Sequence, residues 1–148
     1  MRTALAFEGI AMRHVVASLC AIAALMSASG ARAESVDQVR RGFAQMVYED
    51  SRADINLEAP QSMLRAVVVL RVRLDDHDHW RAEVMRENDV EPGLTRKALA
   101  SVEHLAATLP VSTGMSEQLH REGFVEVWLF QNDGRFALKT LALPQRRF

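Results

Sequence analysis

Hydrophobic and polar residues repeat along this chain with two different periods, which predict its helices and strands. In two segments apolar residues recur every three or four positions, as on the buried face of a helix. In four others they recur at every second position, as on one face of a strand. The predicted elements are a helix over 35–49, strands over 66–74 and 80–86, a helix from Glu91–Gly93 to Pro110, and strands over 124–130 and 136–143.

Residues that start helices or turn the chain agree with these boundaries. Ser35 and Gln38 have the spacing of a capping box, in which two side chains satisfy main-chain N–H groups at a helix start. Asp133-Gly134 lies between two alternating runs and predicts a two-residue hairpin turn, because glycine readily takes the positive φ required there. We expect the polar segments 50–62 and 111–122 to be a linker and a loop.

The order α-β-β-α-β-β with two hairpins predicts an α+β domain. It would be a two-layer sandwich in which both helices cover one face of an antiparallel sheet. A two-residue turn at Asp133-Gly134 places Trp128 opposite Lys139, on the second face together with Phe124 and Phe130. This face would be apolar, so we expect the loops or the C-terminal tail to cover it, with a self-association or partner surface as the alternative.

Residues 1–33 have the layout of a secretory signal peptide. A basic start at Met12-Arg13-His14 precedes an uncharged apolar run, and Ala31-Arg32-Ala33 is a cleavage motif. The apolar run is shorter than the roughly 20 residues that span a membrane. We therefore predict a periplasmic protein, cleaved after Ala33, with one domain over 34–148 and no stable membrane insertion. An uncleaved anchor is the alternative, and Met12 is an alternative start.

Charge and cysteine content exclude several functions for the predicted mature chain. The whole chain has 18 basic and 19 acidic residues. Residues 1–33 contain three arginines and one glutamate, so the mature chain has 15 basic and 18 acidic residues and a net charge of −3. Such a balance gives no basic surface for nucleic acid. The single cysteine, Cys20, lies in the signal, so the mature chain has no disulfide, thiolate metal site or cysteine nucleophile.

The densest group of potential metal ligands runs from Asp75 to His79. Aspartate is favoured in turns because its side chain bonds nearby main-chain N–H groups, so we expect a solvated hairpin turn here. A small periplasmic metal-binding protein that uses His77 and His79 is the alternative. The sequence has no G-x-S-x-G elbow, phosphate-binding glycine loop or H-E-x-x-H motif. We therefore predict a protein without catalysis and without a cofactor.

Over residues 35–144 the chain resembles the carboxy-terminal domain of the TonB/TolA energy-transducer superfamily. The resemblance is carried by 66–74 with the turn and 80–84, and by 125–130 followed by 133–138. It is most similar to free-standing, signal-bearing relatives found in proteobacterial periplasms. The resemblance implies a domain that binds an extended partner segment by adding a strand at a sheet edge. It does not imply force transduction here, because we find no long proline-rich spacer.

These observations predict a periplasmic adaptor that binds a segment of a periplasmic or outer-membrane protein through an edge strand. A structural homodimer is a further alternative. The free edge would be either the last strand or the strand over 80–86. The predicted contact residues are Phe124, Trp128, Phe130, Phe136, Leu138, Lys139 and Leu141.

Overall fold

A computed structural model describes residues 34–87, 89–106 and 109–144, and the predicted signal peptide lies outside them. The described residues form three α-helices, one short 3-10 helix and four strands. In chain order these are α1 (Val36–Asp50), the 3-10 helix (Arg52–Asp54), β1 (Ala66–Leu74), β2 (Trp80–Arg86), α2 (Pro92–Glu103), α3 (Thr113–Arg121), β3 (Phe124–Phe130) and β4 (Phe136–Leu138). The predicted α+β class is confirmed.

The four strands form one antiparallel sheet in the order β2-β1-β3-β4. The central strand β1 has the alternation that its sequence predicts. Val68, Leu70 and Val72 are fully buried, whereas Arg71 and Arg73 between them are exposed. Because successive side chains of a strand point to opposite faces, one face of the sheet packs on the core and the other carries the arginines.

Helices α1 and α2 both pack on the buried face of the sheet. The Phe43 ring of α1 makes edge-to-face contacts with Trp80 and Phe124, with ring centroids 5.1 and 5.3 Å apart. From α2, the Ser101 hydroxyl accepts a hydrogen bond of 3.1 Å from the indole Nε1–H of Trp128. Phe124 and Trp128 lie four residues apart on β3 and therefore share a face. The predicted two-layer arrangement follows from these contacts.

Helix α3 lies where we predicted a loop over 111–122, so that prediction is wrong. The Ser112 hydroxyl accepts a hydrogen bond of 3.4 Å from the Met115 N–H and caps the helix start. Met115 and Leu119, one turn apart, are buried in the core. The chain then turns into β3 at Gly123, where φ is +62°. Within the described ranges, no helix combines the length and apolar character that crossing a membrane requires.

Two predicted elements extend further than the observed ones. Helix α2 ends at Glu103 rather than just before Pro110. Strand β4 ends at Leu138 rather than at 143, because the chain turns back there. The N–H groups of Leu141 and Ala142 both donate to the Leu138 carbonyl, at 3.0 and 2.8 Å. After the Lys139 N–H donates to the Val127 carbonyl at 2.9 Å, this turn ends the ladder between β4 and β3.

The β3–β4 hairpin pairs one residue away from the predicted register. The Gly134 N–H donates to the Gln131 carbonyl at 3.0 Å, and the Gln131 N–H donates to the Arg135 carbonyl at 2.8 Å. The loop therefore has three residues and ends at Gly134, with φ +79°, instead of a two-residue turn. As a result Trp128 pairs with Leu138 rather than with the predicted partner Lys139. A one-residue shift of this kind exchanges the two faces of a strand.

Candidate functional site

The aromatic side chains predicted to face a partner lie in the core. Trp128 pairs with Val68 and Phe124 pairs with Val72, and directly opposed residues of an antiparallel pair share a face. Phe124 is 6% exposed, and Trp128 and Phe130 are fully buried. Their predicted position on the open face is therefore wrong. They reach no partner unless the core opens.

The other four predicted contact residues are divided between core and surface. Phe136 and Leu138 are fully buried, because β4 continues the core-facing surface of the sheet. Leu141 is half-buried in the turn after β4, and Lys139 is exposed. Of the seven predicted residues, Lys139 is thus the only exposed one.

The outer edge of β4 is closed by other parts of the chain. The Asn56 N–H donates to the Phe136 carbonyl at 2.8 Å, next to a parallel bridge between Ile55 and Phe136. The Leu138 N–H donates to the Tyr48 hydroxyl of α1 at 3.1 Å. The Leu138 carbonyl is already bonded within the turn that follows. Of the two edges considered from the sequence, β4 is therefore not available for an added strand.

Strand β2 is the other edge of the sheet, and its outward main chain is open. Five of its 7 residues are exposed. The Asp75 N–H donates to the His79 carbonyl at 2.9 Å, so Asp75 and His79 face each other as a hydrogen-bonded pair. This pair fixes which residues of β2 direct their main-chain groups toward β1 and which direct them outward. By the alternation of an antiparallel ladder, the N–H and C=O groups of Ala82 and Val84 point away from β1. No residue in the described part of the chain hydrogen-bonds to these groups.

The two faces of β2 differ in chemistry. One face, here called the helix-free face, is the side of the sheet opposite α1 and α2. On it Arg81 and Glu83 are exposed beside the two arginines of β1, Arg71 and Arg73. Arg71 pairs directly with Glu83. On the helix-covered face Val84 is 37% exposed. Charged side chains on an edge strand oppose non-specific pairing with other edges. An added strand would therefore meet charges on one side and apolar surface on the other.

Asp75 organises the turn between β1 and β2. One carboxylate oxygen, Oδ1, accepts from the main-chain N–H groups of His77 and His79 at 2.9 and 3.0 Å. The other, Oδ2, accepts from Arg81 Nε at 2.8 Å. The His79 N–H is the largest of the causes that lower the Asp75 pKa to about 2. Among the described residues, no three His, Cys, Asp or Glu side chains are grouped closely enough to hold a metal ion.

A shallow apolar groove of about 500 Å³ lies on the helix-free face of the sheet. The predicted linker and the tail flank it, as expected in part from the sequence. The lining residues are Pro60, Leu64, Val67, Val69, Val127, Leu129, Lys139, Ala142 and Leu143. The four valine and leucine side chains from β1 and β3 are half-buried rather than open. The flanking segments thus cover part of this apolar surface and leave the rest exposed.

A second cleft of about 500 Å³, the α1–β3 cleft, contains a residue that the sequence analysis missed. Its lining residues are Asp37, Arg40, Arg41, Val125, Glu126, Val127, Lys139 and Thr140. Glu126 is buried on the core-facing side of β3, opposite Leu70. The available signal was its position in the alternation of β3, where a charged residue occupies an inward site between Phe124 and Trp128.

The surroundings of Glu126 also affect Tyr48 of α1. Burial is the main cause that raises the Tyr48 pKa, and the negative charge of Glu126 raises it further. The hydrogen bond from the Leu138 N–H to the Tyr48 oxygen acts in the opposite direction. Tyr48 therefore stays a neutral hydroxyl near neutral pH, which suits its place at the β4 edge.

The features that recognition could use are the open edge of β2, the apolar groove on the helix-free face and the α1–β3 cleft. The groove and the cleft adjoin each other and share Val127 and Lys139, whereas β2 is the edge of the sheet opposite β4. Comparison with known proteins adds no further assignment to any of them. No protein-family model, curated protein or solved structure matches this chain.

Proposed function

We propose that this protein is a non-catalytic periplasmic adaptor domain that binds an extended segment of a periplasmic or outer-membrane protein along β2. This mode of binding is the one implied by the resemblance to TonB/TolA carboxy-terminal domains, without energy transduction by this chain. The observation that supports it is the open main chain of Ala82 and Val84 on an exposed edge strand. Strand addition requires only such groups and nearby side-chain contacts.

The strength of the pairing follows from the number of open groups. Ala82 and Val84 present two N–H and two C=O groups, and hydrogen bonds of this kind contribute about 0.5–1.5 kcal/mol each. Together they give about 2–6 kcal/mol, whereas association costs at least about 4 kcal/mol. Main-chain pairing alone is therefore close to balanced. Contacts with exposed side chains such as Val84 and Met85 would have to supply the remaining affinity and the selectivity.

Photo-crosslinking in intact cells tests this proposal. A photoreactive amino acid at Glu83 on β2 should give a discrete adduct with another protein, and the same probe at Lys139 beside the closed β4 edge should not. Mass spectrometry then identifies the partner. An adduct at twice the monomer mass would instead indicate the homodimer. Equal adducts from both positions, or none from Glu83 in folded and exported protein, would contradict binding at β2.

A proline substitution separates main-chain pairing from side-chain contact. Ala82→Pro removes one outward N–H at an edge position, where proline does not interrupt the ladder to β1. Ala82→Val is a control of similar size that keeps the N–H. We expect the adduct from Glu83 to be lost with proline and retained with valine, with thermal unfolding showing that both variants fold. An adduct that persists at full yield with Ala82→Pro would rule out strand addition.

A further inference from the structure

The α1–β3 cleft contains a buried carboxylate oxygen without a partner. Glu126 is 1% exposed. Its Oε1 accepts hydrogen bonds from the main-chain N–H groups of Val127 at 2.9 Å and Thr140 at 3.3 Å. Its Oε2 is buried and has no hydrogen-bond partner within the described residues. A buried charged oxygen that lacks a donor is costly, because its lost hydration is not replaced.

The same cleft also contains a buried donor without a partner. Arg40 Nε is buried and unpaired among the described residues, while the Nη2 of this side chain bonds Asp37 at 2.8 Å. Arg41 and Lys139 line the cleft as well. The lining thus has three cationic side chains and two carboxylates. It combines one unsatisfied acceptor with an unsatisfied donor and an excess of positive charge.

These two unpaired atoms select for a ligand that carries both charges. An ammonium group has three N–H donors and no acceptor, which suits Glu126 Oε2, and such charge-assisted hydrogen bonds are strong. A carboxylate would accept from Arg40 Nε and would lie beside the other cations of the cleft. A simple amine would meet the excess of positive charge, and a simple carboxylate would leave Oε2 unpaired.

We propose that the α1–β3 cleft binds a free α-amino acid, with its ammonium on Glu126 and its carboxylate on Arg40. The cleft volume of about 500 Å³ falls within the range of small-molecule sites. Val125 and Val127 supply apolar surface for the side chain of the ligand. The cleft lies on the β3–β4 side of the sheet, so the proposal does not depend on partner binding at β2.

An NMR titration of the labelled protein tests the site. Each standard amino acid is added singly, and the amide signals of Val127 and Thr140 are followed, since these groups bond Glu126. We expect at least one amino acid to shift both signals saturably. Two analogues of that amino acid serve as comparisons: the amine without the carboxylate and the carboxylic acid without the ammonium. Each should bind at least about tenfold more weakly than the amino acid itself. The absence of a saturable shift with every amino acid would overturn the proposal.

Substitutions assign the binding to the proposed atoms. Glu126→Gln keeps an oxygen for the two main-chain donors but replaces Oε2 with an NH₂ group, and should weaken binding by about tenfold or more. Glu117→Gln, an exposed change on α3, should leave it unchanged. If Glu126→Gln does not fold, Arg40→Met, which removes the unpaired Nε donor, should weaken binding of the amino acid but not binding of the matched amine. Unchanged affinity for the amino acid in folded Glu126→Gln, or in folded Arg40→Met, would overturn the assignment.

Discussion

Replacing Gly123 with alanine should destabilise the protein through two separate effects. Gly123 joins α3 to β3 with φ +62°, a conformation that residues with a Cβ rarely adopt. A Cβ here would also overlap the carbonyl oxygen of Val72 and would lie 2.9 Å from the Arg73 Cβ. Both neighbours belong to β1, the central strand, so they have little freedom to move. The junction therefore requires glycine for its backbone conformation and for its close approach to β1.

The size of the effect follows from these two terms. The left-handed conformation costs a residue with a Cβ about 1–2 kcal/mol relative to glycine. Forcing extra volume against packed structure typically costs about 1–3 kcal/mol more. We therefore expect Gly123→Ala to lower the free energy of unfolding by about 2–5 kcal/mol. Because small domains are stable by only about 5–15 kcal/mol, this change removes a large part of the total.

Urea unfolding monitored by tryptophan fluorescence measures this loss, since Trp80 and Trp128 are both buried. Gly114→Ala is the matched control, because a Cβ at Gly114 meets no atom within 4 Å. Gly114 lies inside α3, where alanine is favoured over glycine by up to about 1 kcal/mol, so the control should be neutral or slightly stabilising. Equal midpoints for Gly123→Ala and the wild-type chain would refute the described junction between α3 and β1.

Three further substitutions test other parts of the structure. Tyr48→Phe leaves the Leu138 N–H without its acceptor and should cost about 1–3 kcal/mol in urea unfolding, whereas no change would mean that the edge is not closed by Tyr48. Ser112→Ala should cost about 1 kcal/mol by loss of the α3 cap, and an unchanged midpoint would argue against that cap. Asp75 has a lowered pKa of about 2, so it stabilises the fold above its unfolded pKa, and this contribution is lost as pH falls toward 2. The stability difference between wild type and Asp75→Asn should therefore shrink as pH falls from 6 to about 2, and a constant difference would contradict the turn hydrogen bonds.

Strand β1 can be predicted from the sequence because its apolar and charged residues alternate. Val68, Leu70 and Val72 recur with period two, and Arg71 with Arg73 fill the positions between them. Only one face can then be buried, since two unpaired arginines in the core would be too costly. The observed burial follows this pattern without exception over these five residues.

The β3–β4 register cannot be predicted from the sequence in the same way. Asp133-Gly134 suits a two-residue turn, but Gly134 equally suits the last position of a three-residue loop, since both require positive φ. The two loops differ by one residue, and this difference decides which residue faces Trp128 across the hairpin. The observed register places Phe136 and Leu138 in the core, where the Leu138 N–H bonds the Tyr48 hydroxyl and the Phe136 carbonyl accepts from Asn56. Those contacts join residues that are distant in sequence.

The α1–β3 cleft could not be predicted from the sequence for a similar reason. The inward position of Glu126 in β3 is visible in the alternation of the strand. Its surroundings are not, because Arg40 comes from the first helix and Lys139 with Thr140 from the segment after β4. A single charged residue within an apolar strand indicates that something must satisfy it. It does not indicate which distant residues do so.

The different treatment of the two sheet edges is the strongest structural argument for recognition at β2. At β4, the outward groups described above are satisfied by Asn56, by the Tyr48 hydroxyl and by the turn that follows. At β2 the outward groups of Ala82 and Val84 remain open. Its charged residues discourage random pairing while leaving these groups accessible. A segment that pairs with β2, as proposed, would therefore have to complement the charges as well as the main chain, and this requirement would make binding selective.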